Sequence, residues 1–263
     1  MIDWRPWHNE PFLTGGLILA GWLYALLAGP FRSNLAPGVP YPRAHAWRFY
    51  SGLVLFYLAV GSPLDQIGER FLLTAHMAQH LVIMYPVPLL IMLGIPSWMI
   101  DPLLSRPAVR MPMALLVKPL PCAVISSLVI SVWHLPLLYE WTLQDKLVHV
   151  GEHLMFLAVS LLYWWPLVSP SRVLPAPSYG TRMIYLVGTE IMMIPVAAYI
   201  VFSNDILYPT YEYAPRLIAD FTPAQDQLLA GILMKVAGVT VSLIAMGICF
   251  YRWSRESDPV TAR

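Results

Sequence analysis

Histidines carry the chemistry in this chain, and five of the seven lie in apolar stretches: His76, His80, His134, His149 and His153. His76/His80 and His149/His153 are both spaced i, i+4, which on a helix stacks two imidazoles on one face, about 6 Å apart. Two such faces turned toward each other would form a chelating cage, with His134 as a fifth ligand or a gate. Neutral imidazole binds copper, zinc and iron, including haem iron. A lone histidine near a helix end is more often an interfacial hydrogen-bonding residue than a ligand, so the repeated pair is what points to a metal. Met77, Met84 and Met155 stand beside these positions. Thioether would favour Cu(I), although methionine in an apolar helix is more often packing. Glu152 follows His149 by three residues and is placed to orient a metal-bound imidazole by accepting its other ring N–H. Glu190 and Lys235 are the remaining buried polar candidates. They have opposite sign and are expected to pair, because an uncompensated charge in a bilayer costs roughly 2.5–3.5 kcal/mol.

The elements that must position these groups follow from composition. The 263 residues are 58% hydrophobic and 12% charged, with a mean hydropathy of +0.61. Soluble domains run near ~45–50% apolar and ~25% charged, so this chain reads as an all-α polytopic membrane protein with little outside the bilayer. Seven apolar runs are candidate spans: 12–29, 47–62, 71–93, 121–138, 147–168, 183–202 and 227–253. The second and fourth are short. No internal repeat, low-complexity tract or long linker divides the chain, so residues 1–263 are expected to form a single integral-membrane helical domain. The N-terminus lacks a basic region followed by a cleavage site, so no cleaved signal peptide is expected. Pro86 and Pro88 predict a kink in the third span. The tryptophans, among them Trp4, Trp164 and Trp165, are expected in the interfacial belt.

Orientation comes from the basic residues. With seven spans, one side of the bilayer holds Arg32, Arg43, Arg48, Arg106, Arg110, Lys118, Arg172, Arg182, Arg252, Arg255 and Arg263, and the other only Arg5, Arg70, Lys146 and Arg216. That asymmetry puts the N-terminus outside and the C-terminus in the cytoplasm. The outer side collects acids instead, including Asp3, Glu10, Asp65, Glu69 and Asp226. On this map all five histidines fall in the outer half of the bilayer.

Several function classes drop out. The net charge is +1 with scattered basic residues, which argues against nucleic acid as a partner. Cys122 and Cys249 form neither a C-x-x-C pair nor a disulfide framework. His149-Val-Gly-Glu-His153 matches the H-x-x-E-H of inverzincin metallopeptidases, a five-residue pattern of low specificity. A metal transporter would need ligands continuing toward the cytoplasmic half. A bis-His haem protein would need two histidines on facing helices. Both stay open on these residues alone.

Longer blocks carry a resemblance. Ser62-Pro-Leu-Asp65, His76-Met-Ala-Gln-His80-Leu, Pro88-Leu-Leu-Ile-Met-Leu-Gly94-Ile-Pro96, Trp133-His134-Leu-Pro136, His149-Val-Gly-Glu-His153-Leu-Met-Phe, Trp164-Trp165-Pro166 and Asp226-Gln227-Leu-Leu-Ala-Gly231-Ile-Leu-Met-Lys235 occur in one order. Together they resemble the CtaG family of cytochrome c oxidase assembly factors over most of the chain. The resemblance implies a seven-span inner-membrane protein that helps to mature a haem–copper oxidase, with cytochrome c oxidase subunits as partners. It also implies copper as the metal and His76, His80, His134, His149 and His153 as candidate ligands. The chain lacks a Cys-x-x-x-Cys copper motif, which leaves the route of copper to the site open; the partner the resemblance would add as copper donor is a periplasmic copper chaperone. The expected action is ligand exchange rather than turnover catalysis.

Overall fold

In the computed structural model Trp7 and residues 11–256 are described. Asp3, Trp4, Arg5, Glu10 and Arg263, which entered the readings above, lie outside them. Every regular element among the described residues is a helix. In chain order these are α1 (Pro11–Ala28), α2 (Arg32–Leu35), α3 (Arg43–Gly61), α4 (Pro63–Arg70), α5 (Leu73–Met84), α6 (Pro86–Gly94), α7 (Ser97–Leu104) and α8 (Pro107–Leu116). There follow α9 (Pro119–Trp133), α10 (Pro136–Gln144), α11 (Lys146–Val168), α12 (Tyr179–Met192), α13 (Ile194–Phe202), α14 (Pro209–Glu212) and α15 (Pro223–Glu256). A chain with 25 prolines can be this helical because many of them open helices. Pro63, Pro86, Pro107, Pro119, Pro136 and Pro209 each stand at the start of one, where the missing N–H is not needed.

Five helical stretches are long and apolar enough to cross a membrane: α1, the run α5–α6 (Leu73–Gly94), α11, the run α12–α13 (Tyr179–Phe202), and α15. The bent pair α8–α9, with 72° between its halves, makes a sixth if it is one span. The remaining run of the sequence map is α3, which carries Arg43, His45 and Arg48 in its first two turns. Tyr85 breaks the third run because Pro86 cannot donate the next helical hydrogen bond, yet α5 and α6 continue as one 22-residue stretch. The fourth run is corrected: α9 stops at Trp133 and α10 starts at Pro136, instead of one helix through residue 138. Pro136 confines Leu135 to an extended backbone, φ −66° and ψ 133°, which ends the helix.

Close packing fixes the frame around the site. α3 and α6 approach so tightly that a Cβ on Gly94 would sit 2.6 Å from the Phe49 nitrogen. Tyr24 of α1 stacks on Phe49 with ring centroids 4.2 Å apart and donates its hydroxyl to the Gly94 carbonyl at 2.9 Å. α1 leans on α3 and leaves a cleft of about 400 Å³ between itself and α11. Two tryptophans read as interfacial are instead buried: Trp164 donates to the Met84 carbonyl at 3.1 Å and Trp165 to that of Leu174 at 3.2 Å. An indole N–H reaches a carbonyl only where the chain bends away from regular helix, at the α5–α6 break and in the loop after α11.

Candidate metal centre

Three helices place the histidines. Asp145 caps α11 by accepting from the Leu147 and Val148 amides at 2.8 and 3.3 Å, so His149 and His153 fall on its first two turns. α5 has no cap of its own. Asp226 of α15, fully buried, supplies one: its carboxylate accepts from the Leu73 amide at 2.7 Å and the Thr74 amide at 2.9 Å, and from the Thr74 hydroxyl at 2.6 Å. His76 and His80 occupy the next turn. His134 is the residue on which α9 ends. α4 is pressed onto α5 beside them, since a Cβ on Gly68 would lie 3.0 Å from the His76 Cα.

All five imidazoles are buried and come together. Ring centroids are 4.3 Å apart for His76 and His80, 4.2 Å for His149 and His153, 5.4 Å for His80 and His153, 5.5 Å for His76 and His149, and 6.2 Å for His80 and His134. His76, His149, His153 and Glu152 each offer one donor atom, and these atoms lie within 4.8 Å of one another.

The hydrogen bonds assign the ring protons, because a carbonyl or carboxylate only accepts. Nδ1 of His134 donates to the Ile130 carbonyl at 2.7 Å, leaving Nε2 as a bare lone pair. Nδ1 of His149 faces the Glu69 carboxylate at 2.6 Å, and its Nε2 also has no partner. Tyr211 donates to the Gly68 carbonyl at 2.7 Å, so Nδ1 of His76, 3.1 Å from that hydroxyl, donates to it. Burial pushes the Tyr211 hydroxyl well above its ordinary pKa, which keeps its proton in place. Nε2 of His76 then accepts from Nε2 of His80 at 2.8 Å. Nε2 of His153 is unpartnered as well. Three imidazoles therefore turn a lone pair away from an anchored Nδ1–H, to a tyrosine, a carbonyl and a carboxylate, which is how metal-binding histidines are oriented.

Glu152 lies inside this cluster, fully buried, and neither oxygen has a hydrogen-bond partner. Thr142 gives its proton to the Tyr139 carbonyl at 2.7 Å instead. The acceptor that orients His149 is Glu69, not Glu152. In the sequence Glu69 is one acid among those of the outer loops, and its approach to His149 spans 80 residues of chain. Asp65, Glu69 and His149 also bring donor atoms within 4.8 Å of one another. Tyr139, Tyr208 and Tyr211 form a buried aromatic cap at this end of the bundle, and nothing in their spacing announced it. Among the methionines, Met155 is half exposed and its sulfur accepts from the Trp133 indole at 3.1 Å, while Met77 packs in the tyrosine cap. Along its length, the cleft between α1 and α11 reaches His149, His153, Asp65 and Lys146.

Glu190 and Lys235 pair at 2.7 Å, and Ser242 donates to the other Glu190 oxygen at 2.8 Å. Their side chains are 21% and 29% exposed, so the pair lies at the rim of the bundle rather than in its interior. Cys122 and Cys249 are buried and free.

A family model described as cytochrome c oxidase caa3 assembly factor (Caa3_CtaG) matches residues 22–256. No curated protein and no solved structure matches. The match spans most of the chain, and the chain belongs to this family of assembly factors.

Proposed function

We propose that this cytochrome c oxidase assembly factor carries copper as cargo, holding it among His76, His80, His149 and His153, with His134 and Glu152 in reach, and passing it to an oxidase subunit. The observation that carries this reading is the group of buried donors without partners: Nδ1 of His80, Nε2 of His134, His149 and His153 and both oxygens of Glu152. Burying such groups unpaired costs roughly 1–3 kcal/mol each, and a cation among them would remove that cost. Imidazole and carboxylate around one point form a donor set that copper accepts and can leave, because mixed coordination exchanges readily. The cleft beside α1 supplies a path by which another ligand approaches His149 and His153. The asymmetry of basic residues supports seven spans with the N-terminus outside, the cluster near the periplasmic face of the inner membrane, and a periplasmic chaperone as copper donor. The reading makes the protein a carrier and not an enzyme.

The test is elemental analysis of full-length protein purified from copper-supplied cells, together with oxidase activity of the same membranes. The natural chain retains stoichiometric copper and shows no haem absorption band. His80→Ala and His153→Ala lose the copper and lower oxidase activity while the protein stays in the membrane. Full stoichiometric metal and normal oxidase activity in both variants would overturn the proposal. One observation favours a second reading: an unpartnered Glu152 among histidines is also where a hydrolytic base would stand. Under that reading Glu152→Gln keeps the metal and abolishes peptide cleavage.

A further inference from the structure

A second cavity, of about 810 Å³, opens between α6, α11, α12 and α15 at the end of the bundle away from the histidines. Its walls are apolar, with Leu89, Leu93, Leu167, Val241, Ile244 and Ile248 among them. Its charged lining residues are Arg182 and Arg252, and no acidic residue lines it. On α11 the step from His149 to Leu167 is about 27 Å at the helical rise, close to the ~30 Å thickness of a hydrocarbon core. The two arginines therefore stand at headgroup level in the leaflet opposite the histidine cluster.

Arg182 is held in place before any ligand arrives. Its Nε donates to the Pro177 carbonyl at 2.8 Å, Nη1 donates to that of Leu167 at 3.2 Å, and the guanidinium lies 4.5 Å over the Tyr179 ring. A guanidinium has five N–H groups, so three remain for an anion. Arg252 is exposed at the other side of the cavity. Neither arginine has an ion pair among the described residues.

We propose that this cavity binds one anionic phospholipid, its acyl chains against the apolar walls and its phosphate held by Arg182 and Arg252. The charge complementarity singles out this occupant: a polypeptide helix would leave two guanidinium groups unpaired, and a zwitterionic lipid would bring its own cation against them. The site is separate from the metal centre and stands whether or not that centre carries copper.

The experiment is native mass spectrometry of the full chain in mild detergent, with dioleoyl phosphatidylglycerol or dioleoyl phosphatidylcholine added. The anionic lipid is expected as a single retained adduct that excess inorganic phosphate does not displace, and the zwitterionic lipid is not retained. Retention weakens about fivefold for each arginine removed, in Arg252→Ala and in Arg182→Ala/Arg252→Ala. Ala245→Trp, which keeps both arginines and puts an indole into the space for the acyl chains, also weakens retention, whereas Arg255→Ala at the same end of α15 changes nothing. Equal retention of phosphatidylcholine, or retention unchanged in both Arg252→Ala and Ala245→Trp, would overturn the proposal. Displacement by phosphate alone would overturn it too, because the site would then read an anion and not a lipid.

Discussion

If the cluster holds copper as proposed, the contact between Glu69 and His149 sets how one of its imidazoles meets the metal. A carboxylate 2.6 Å from Nδ1 fixes the tautomer, turns Nε2 inward and makes it a better donor. Glu69→Gln keeps the shape and an accepting oxygen but removes the charge, so copper affinity is expected to fall about 10–100-fold with membrane levels unchanged. Competition against a chelator of known affinity measures this, and an unchanged affinity would remove Glu69 from the site. Such partners are hard to read from a chain. The histidine pairs were legible because i, i+4 spacing is local and helical, and Glu190 with Lys235 because two opposite charges in apolar runs have few other partners. Glu69 was not legible, since nothing in its own neighbourhood distinguishes it from the other acids outside the spans. Glu152 was legible as a relevant group but not in its placement, which depends on the rotation of α11 against α5.

Among the elements, α5 depends most on a residue from elsewhere. Its first turn is capped by the carboxylate of Asp226, on α15, which meets two amides that would otherwise be unpaired and shares the Thr74 hydroxyl with its own backbone carbonyl. Asp226→Ala is expected to cost roughly 1–2 kcal/mol, the upper range for loss of a helix cap. It also loosens His76 and His80. Asp226→Asn keeps one accepting oxygen but turns an amide NH2 toward the second backbone N–H, so it recovers only part of that loss. Thermal unfolding of the purified protein, followed by tryptophan fluorescence, checks the order natural chain, Asn variant, Ala variant, and identical midpoints for all three would refute the cap. Helix existence was largely legible, because apolar runs of this length have few alternatives in a bilayer. The end of α9 at Pro136 is masked in the sequence, since the apolar run continues through Leu137 and Leu138. The α5–α6 break at Pro86 was readable, because proline acts on its own helix.

For the whole molecule, the loops sort into two ends. Tyr208 donates to the His134 carbonyl, Tyr211 to that of Gly68, and Glu140 accepts from Thr210, which ties three loops together at the histidine end. Asp101 accepts from Ser171 and the Arg172 amide at the other end. Reporter fusions after Ser169 and after Asp220 are expected to report cytoplasm and exterior respectively, and the reverse pattern would sink both the orientation and the copper route drawn from it. The sequence alone determined that the chain is a helical membrane protein, which family it resembles, and which histidines stack in pairs. Each of these follows from composition, period or collinear motifs, all properties of neighbours along the chain. Only the tertiary structure decided that the five imidazoles share one buried place, that Glu69, Tyr211 and the Ile130 carbonyl anchor three of them, that Asp226 caps the helix beside them, and that α1 leaves a cleft that reaches His149 and His153. Those are relations between helices far apart in sequence. They are set by how side chains and small residues such as Gly68 and Gly94 allow helices to approach and rotate, and no local pattern encodes that rotation.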